Sequence, residues 1–120
     1  MCSSDLDMGA EYHGFTADVT RTLPVSGKFS ENQRTLYELV LTAQEAGIAA
    51  CKAGNRFREP HEAAFKVIES GLLRLGITRN KEETKKYFPH GTSHYLGLDV
   101  HDAGDYEPLD RKSTRLNSSH

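Results

Sequence analysis

The chain lacks the features that mark several large classes of protein. It has no tryptophan, only two cysteines and a formal net charge of −2 over 120 residues. Two cysteines cannot build a disulfide-rich scaffold, and they fit a reducing, cytoplasmic setting. The near balance of charge gives no reason to expect a nucleic-acid partner. No apolar run reaches the roughly 18 residues that a membrane span needs, so no membrane partner is expected.

The size and composition fit one ordinary domain with a modest core. Hydrophobic residues make up 37% of the chain, which is enough to bury a core. Cys2 and Cys51 are too few and too far apart for a zinc motif or a disulfide framework. Cys51 falls on an apolar helical stripe, so we expect a buried, reduced thiol there.

Residues 7–23 carry the pattern of a β-hairpin. Branched and aromatic residues surround a glycine-containing turn near residues 12–14. A fold at that turn would place Asp7 and Asp18 directly opposite each other. Opposed residues on antiparallel strands have Cβ atoms only about 4.5–5.5 Å apart, and like charges there repel. A cation between the two carboxylates would remove this repulsion.

Three histidines follow much later, at His90, His94 and His101. Residues 95–101 alternate between polar and apolar side chains, which predicts a strand with one apolar face. Each acidic or imidazole group alone is most simply a solvated side chain. The appearance of such groups in three separate segments favours a metal site instead. Carboxylate and imidazole ligands suit manganese, cobalt, iron or zinc better than copper(I).

Two long helices are predicted between these segments. Ser30 and Gln33 form a candidate capping box, and apolar residues at spacings of three and four continue to Gly54. A second helix is expected from Pro60 to Gly76. The charged residues 80–86 indicate a short solvated helix or a linker. The pattern as a whole is α+β, with antiparallel strands and two long helices.

The two ends of the chain look foreign to the rest. Residues 1–6 and 110–120 resemble translated sequencing adapter, and the second of these has no apolar periodicity. We expect both to be non-native flanks that take no part in the fold. Residues 7–109 then form the biological segment.

Residues 7–22 and the run HGTSHYLGLDVH at 90–101 together resemble the pita-bread (M24) metallopeptidases, in the branch of the Xaa-Pro aminopeptidases and prolidases. The resemblance covers residues 7–109 and implies a fragment of the catalytic domain, with a partial pita-bread (creatinase/aminopeptidase) fold. It implies two divalent metal ions, foremost manganese, with cobalt or zinc as options. Asp7 would bind one metal, Asp18 would bridge both and His94 would bind the second. His90 and His101 would be catalytic, holding the substrate and stabilising charge at the scissile bond.

The resemblance also implies an activity. A metallo-aminopeptidase of this branch hydrolyses the bond between an N-terminal residue and proline, so the partner would be a proline-containing peptide, and the parent enzyme could be a homo-oligomer. The family's two metal-binding glutamates would lie beyond residue 109, so this chain alone is expected to be inactive. The alternatives are an Xaa-Pro dipeptidase (prolidase), a non-catalytic pita-bread protein that binds peptides, and a metal-free hydrolase of the creatinase type.

Overall fold

The computed structural model describes residues 3–104. Its elements in chain order are β1 (Ser3–Met8), β2 (Glu11–Tyr12), β3 (Phe15–Thr16), β4 (Val19–Pro24), α1 (Glu31–Ala49), α2 (Glu59–Arg74) and α3 (Lys81–Tyr87). The α+β class, with antiparallel strands and two long helices, is confirmed. Within residues 3–104, no helix has the length and apolar character needed to cross a bilayer.

The four strands form one long hairpin with a shorter ladder at its tip. In the ladder of β1 with β4, Asp7 lies opposite Thr20, and in that of β2 with β3, Tyr12 lies opposite Phe15. The turn is made by His13 and Gly14, whose φ angles of 53° and 84° are those of a two-residue hairpin turn. The prediction that Asp7 and Asp18 face each other is therefore wrong. The turn is centred one residue later than expected, and this shifts the pairing by two positions.

The helices begin where their caps predict. The Ser30 hydroxyl accepts a hydrogen bond from the Gln33 amide, and the Gln33 side chain accepts one from the Ser30 amide, which confirms the capping box. Pro60 lies in the first turn of α2, where its missing N–H costs nothing. Asn80 caps α3 through its side-chain oxygen, 2.9 Å from the Glu83 amide. Helix α1 ends at Ala49, short of the predicted Gly54.

The core lies between α1 and α2. Its four buried side chains are Ala43, Ala64, Ile68 and Leu72. The partly buried side chains of Leu39, Val67 and Phe88 pack against them. The helices approach closely at Gly71, where an added Cβ would overlap the Leu39 side chain. Phe88 joins this core just after α3, and the chain then enters the histidine-bearing segment. The helical pair thus fixes where that segment starts.

Two further expectations fail. Residues 95–101 do not form a strand but a loop, closed by a single bridge between Tyr95 and Asp102. A strand needs a partner for its backbone groups, and residues 3–104 offer this segment only that one bridge. Cys51 is exposed and not buried, because α1 ends at Ala49 and Cys51 lies beyond the helical face that packs in the core.

The predicted flanks fall partly within the described chain. Residues 3–6, assigned to the N-terminal flank, belong to β1 and pair with residues 21–24 of β4. Residues 110–120 lie outside the described residues. The assignment of the flanks and of 7–109 as a catalytic-domain fragment stays a prediction.

Candidate metal centre

The carboxylate of the site comes from the hairpin. Asp18 immediately precedes β4, two positions before Thr20. The Ala17 amide donates to the Ala10 carbonyl at 3.1 Å, which joins the two sides of the hairpin beside Asp18. Gly9 is essential to this approach, because a Cβ at that position would fall on the carbonyl oxygen of Ala17. Because Gly9 has no side chain, the two sides of the hairpin can approach closely here, and this approach positions Asp18.

The imidazoles come from the loop that follows α3. The Asp102 amide donates to the Tyr95 carbonyl at 3.0 Å and closes this loop between His94 and His101. The loop also approaches the hairpin turn, where a Cβ built on Gly14 would lie 3.4 Å from a methyl group of Leu98. These two connections bring His94 next to Asp18, although 76 positions separate them in the sequence.

Asp18 contacts both His94 and His101. Its Oδ1 is 3.2 Å from Nε2 of His94, and its Oδ2 is 3.4 Å from Nε2 of His101. The two imidazole rings have centroids 4.3 Å apart. One potential ligand atom from each of the three residues lies within 4.8 Å of the others. The side chains of Asp18 and His94 are 35% and 25% exposed, whereas that of His101 is 70% exposed.

The two histidines are held differently. The Nδ1–H of His94 donates to the Tyr95 carbonyl at 3.0 Å, and this bond raises the pKa of His94. Partial burial lowers this pKa, whereas Asp18 and the backbone of Val100 raise it. The pKa of Asp18 would be raised by burial, but hydrogen bonds and charge from His94 and His101 outweigh this and lower it. For His101 the structure shows contact with Asp18 and with the His94 ring.

This donor set fits a divalent metal ion. A carboxylate and neutral imidazoles are common ligands of zinc, manganese and cobalt. A ligating histidine usually donates its second ring N–H to a carbonyl or carboxylate, which fixes the tautomer that leaves the other nitrogen free to bind. His94 has this arrangement, with Nδ1 on the Tyr95 carbonyl and Nε2 facing Asp18.

Asp7 and His90 lie outside this group of three. Asp7 is exposed on β1, and the alternation of strand side chains puts it on the same side of the hairpin as Thr20 and Asp18. His90 is exposed in the segment between α3 and the loop. The roles assigned to all five site residues stay predictions. Sequence reasoning missed the Tyr95 carbonyl, because no pattern of residue types reveals a contact made by the backbone.

Comparison with known proteins identifies relatives along nearly the whole chain. The model of the family described as "Metallopeptidase family M24" matches residues 5–118. A protein of Paracoccidioides brasiliensis named "Probable Xaa-Pro aminopeptidase PEPP" is 44% identical over 106 residues, which cover 82% of this chain and 23% of that protein.

Solved structures agree in fold. Aminopeptidase PepP of Pseudomonas aeruginosa matches with a TM-score of 0.77 and 37% identity, over 88% of this chain and 26% of that one. Zinc-substituted aminopeptidase P of Escherichia coli in complex with product matches with a TM-score of 0.74 and 38% identity, over 87% and 25%. The chain therefore spans about a quarter of the length of these relatives. It has a partial pita-bread fold, and it belongs to metallopeptidase family M24.

Proposed function

We propose that the full-length protein containing this chain is a dinuclear-metal Xaa-Pro aminopeptidase, which releases an N-terminal residue that precedes proline. The observation that carries the proposal is the contact of Asp18 with His94 and His101 in a chain of this family. The names of the relatives support it, since they are Xaa-Pro aminopeptidases or aminopeptidase P.

In this proposal Asp18 and His94 bind metal directly, and Asp7 binds the other ion of the pair. Asp7 is diagonal to Asp18 across the hairpin, and diagonal neighbours are about 7–8 Å apart, which leaves room for ions between the carboxylates. Bound divalent ions supply a Lewis acid and make water more acidic, the chemistry that amide hydrolysis needs. Manganese is the proposed ion because hard carboxylate oxygens favour it, while zinc is accepted by the substituted E. coli relative.

His101 and His90 are proposed to contact the peptide. The His101 ring is the most exposed of the three grouped side chains, and no hydrogen bond fixes its Nδ1 among residues 3–104. An imidazole that is open to solvent can donate to a substrate carbonyl and stabilise the charge that develops there. His90 lies on the same segment, four positions before His94, and its exposure is compatible with the same task.

Variants of the E. coli relative give further support. Alanine has replaced two aspartates that are eleven positions apart in that protein, the spacing of Asp7 and Asp18 here. Alanine has also replaced two histidines that are eleven positions apart, the spacing of His90 and His101. These matching spacings support carrying the two pairs over as site residues.

The test is hydrolysis by the full-length protein. It should release the first residue from a peptide with proline in second position when Mn²⁺ is supplied, and mass spectrometry should detect both products. Asp18→Asn and His94→Gln should abolish release. The matched control is His13→Asn, which removes an exposed imidazole from the same hairpin and keeps a residue that tolerates its positive φ. This variant should keep full activity.

Two outcomes would contradict the proposal. One is no release with Mn²⁺, Co²⁺ or Zn²⁺; binding of the intact peptide without cleavage would then favour the non-catalytic alternative. The other is full activity of Asp18→Asn. If the protein cleaves Xaa-Pro dipeptides but not longer peptides, the proposed activity changes from aminopeptidase to dipeptidase.

A further inference from the structure

The histidine loop contains a backbone atom that contacts residues at both of its ends. The carbonyl oxygen of Tyr95 accepts two hydrogen bonds, from Nδ1–H of His94 at 3.0 Å and from the Asp102 amide at 3.0 Å. The first bond orients the His94 ring and selects its tautomer, and the second closes the loop. Any displacement of this carbonyl therefore changes both the direction in which Nε2 of His94 points and the path of the chain towards His101.

The side chain of Tyr95 is held on two sides. Its ring stacks on Phe57, with centroids 5.4 Å apart and planes inclined by 23°. Gly104 lies against the ring as well, because a Cβ there would overlap its edge. Aromatic pairs in such an offset arrangement attract beyond their buried area. The contacts with Phe57 and Gly104 therefore restrict the ring, which is joined through Cβ to the Cα next to the carbonyl.

Phe57 is itself presented by a fixed segment. It lies between α1 and α2, and its neighbour Arg56 is tied to the first turn of α2. Nε of Arg56 is 3.3 Å from the Glu59 carboxylate, and the Arg56 amide donates to the same oxygen at 3.2 Å. The stack thus connects the helical pair, which holds the core, to a loop for which residues 3–104 show one bridge, between Tyr95 and Asp102.

We propose that Phe57 is a positioning residue for the His94 ligand. It acts through Tyr95, by fixing the ring and hence the carbonyl that holds Nδ1–H of His94. Phe57 touches neither metal nor substrate in this account. The inference rests on the proposed function, in which His94 binds a divalent ion.

The test compares two phenylalanines in the full-length protein that contains this chain. Phe57→Ala removes the stack, whereas Phe29→Ala removes a similarly half-buried ring that packs on Tyr37, 4.9 Å away, with no contact to Tyr95 or His94 among the described residues. Loss of an outer-shell partner typically weakens metal binding about 10–100-fold. Phe57→Ala should therefore weaken Mn²⁺ binding by about tenfold, measured by electron paramagnetic resonance. Phe29→Ala should change the Mn²⁺ affinity less than about twofold. Phe57→Tyr, which keeps an aromatic ring at this position, should bind Mn²⁺ as tightly as the wild type.

A second measurement does not need metal. Long-range proton–nitrogen correlation in chelated samples should show the His94 Nδ1 protonated and hydrogen-bonded in the wild type and in Phe29→Ala, and a mixed signal in Phe57→Ala. Gly104→Ala, whose added Cβ would overlap the Tyr95 ring, should give the same change. This second route covers the case in which Phe57→Ala fails to fold.

The outcomes separate the two claims. If Phe57→Ala and Gly104→Ala both leave the His94 nitrogen signals and the Mn²⁺ affinity at wild-type values, the positioning role is refuted. Equal losses in Phe57→Ala and Phe29→Ala would refute it too, since the effect would then be general destabilisation. If the wild-type full-length protein binds no Mn²⁺, Co²⁺ or Zn²⁺, the proposed metal site fails, and the nitrogen signals alone decide the positioning claim.

Discussion

The substitution Gly9→Ala should open the hairpin at the point where Asp18 leaves it. A Cβ on Gly9 would fall on the carbonyl oxygen of Ala17 and lie 3.3 Å from the Asp18 amide nitrogen. These are backbone atoms of the facing segment, so no side-chain rotation can relieve the overlap. The two sides of the hairpin must separate, and Asp18 must move with them.

The cost can be estimated from what separation breaks. The hydrogen bond from the Ala17 amide to the Ala10 carbonyl, 3.1 Å long, is lost, which costs about 1 kcal/mol. Residual crowding of an overpacked contact adds about 1–3 kcal/mol. A total of about 2–4 kcal/mol corresponds to an opening equilibrium that shifts at least about 30-fold, because each 1.4 kcal/mol is a factor of ten.

Amide hydrogen exchange measures this opening directly. In Gly9→Ala the Ala17 amide should exchange at least about 30-fold faster than in the wild type, while amides of α1 and α2 keep their rates. The control is Gly91→Ala, because an added Cβ there meets nothing within 4 Å. Wild-type exchange at Ala17 in the Gly9→Ala chain would refute this account of the hairpin.

Two further predictions concern the helices. Leu72→Ala should lower the free energy of unfolding by about 2–5 kcal/mol, because the Leu72 side chain is only 6% exposed in the core. Urea titration followed by circular dichroism measures the loss. The control is Leu73→Ala, which should have a much smaller effect because Leu73 is 41% exposed. Ser30→Ala should cost about 1 kcal/mol by removing the capping box, in the same assay, whereas Ser26→Ala, in an exposed turn, should cost less; equal losses would contradict the capping argument.

The helical part of the fold could be predicted because its signals are local. Ser30 and Gln33 satisfy backbone groups within the same turn, and Pro60 is tolerated only where no N–H is needed. These residues act on their own segment, so their effect does not depend on the remainder of the chain. The apolar spacing of α2 likewise marks the face that packs on α1, with Ile68 and Leu72 buried in the core.

The hairpin register could not be fixed in the same way. His13 adopts a positive φ, which is uncommon for a residue other than glycine, and this moves the turn centre by one residue. Gly14 alone is compatible with either turn. The alternation in residues 95–101 misled for a different reason, because alternation describes the side chains of a strand but not whether its backbone finds a partner.

The residue types of the site could be predicted from the sequence, but the contact between their side chains could not. A carboxylate at Asp18 and an imidazole at His94 suggest metal chemistry by their nature alone. Their contact depends on the hairpin turn touching the loop near Leu98 and on the Tyr95 carbonyl, and both are tertiary features. The same limit applies to Phe57, whose role is set by a ring from a distant segment.

The site is held from two sides, and this leads to a last prediction about how its halves cooperate. Gly9 acts on the hairpin that carries Asp18, and Phe57 acts on the loop that carries His94. Independent halves would give additive losses of Mn²⁺ binding free energy in the double variant Gly9→Ala/Phe57→Ala. Because Asp18 and His94 touch at 3.2 Å, displacement of one already removes part of the other's support. The loss of binding free energy in the double variant should therefore be smaller than the sum of the two single losses, by more than about 0.5 kcal/mol. Additivity within about 0.3 kcal/mol would instead show that the two halves bind metal independently.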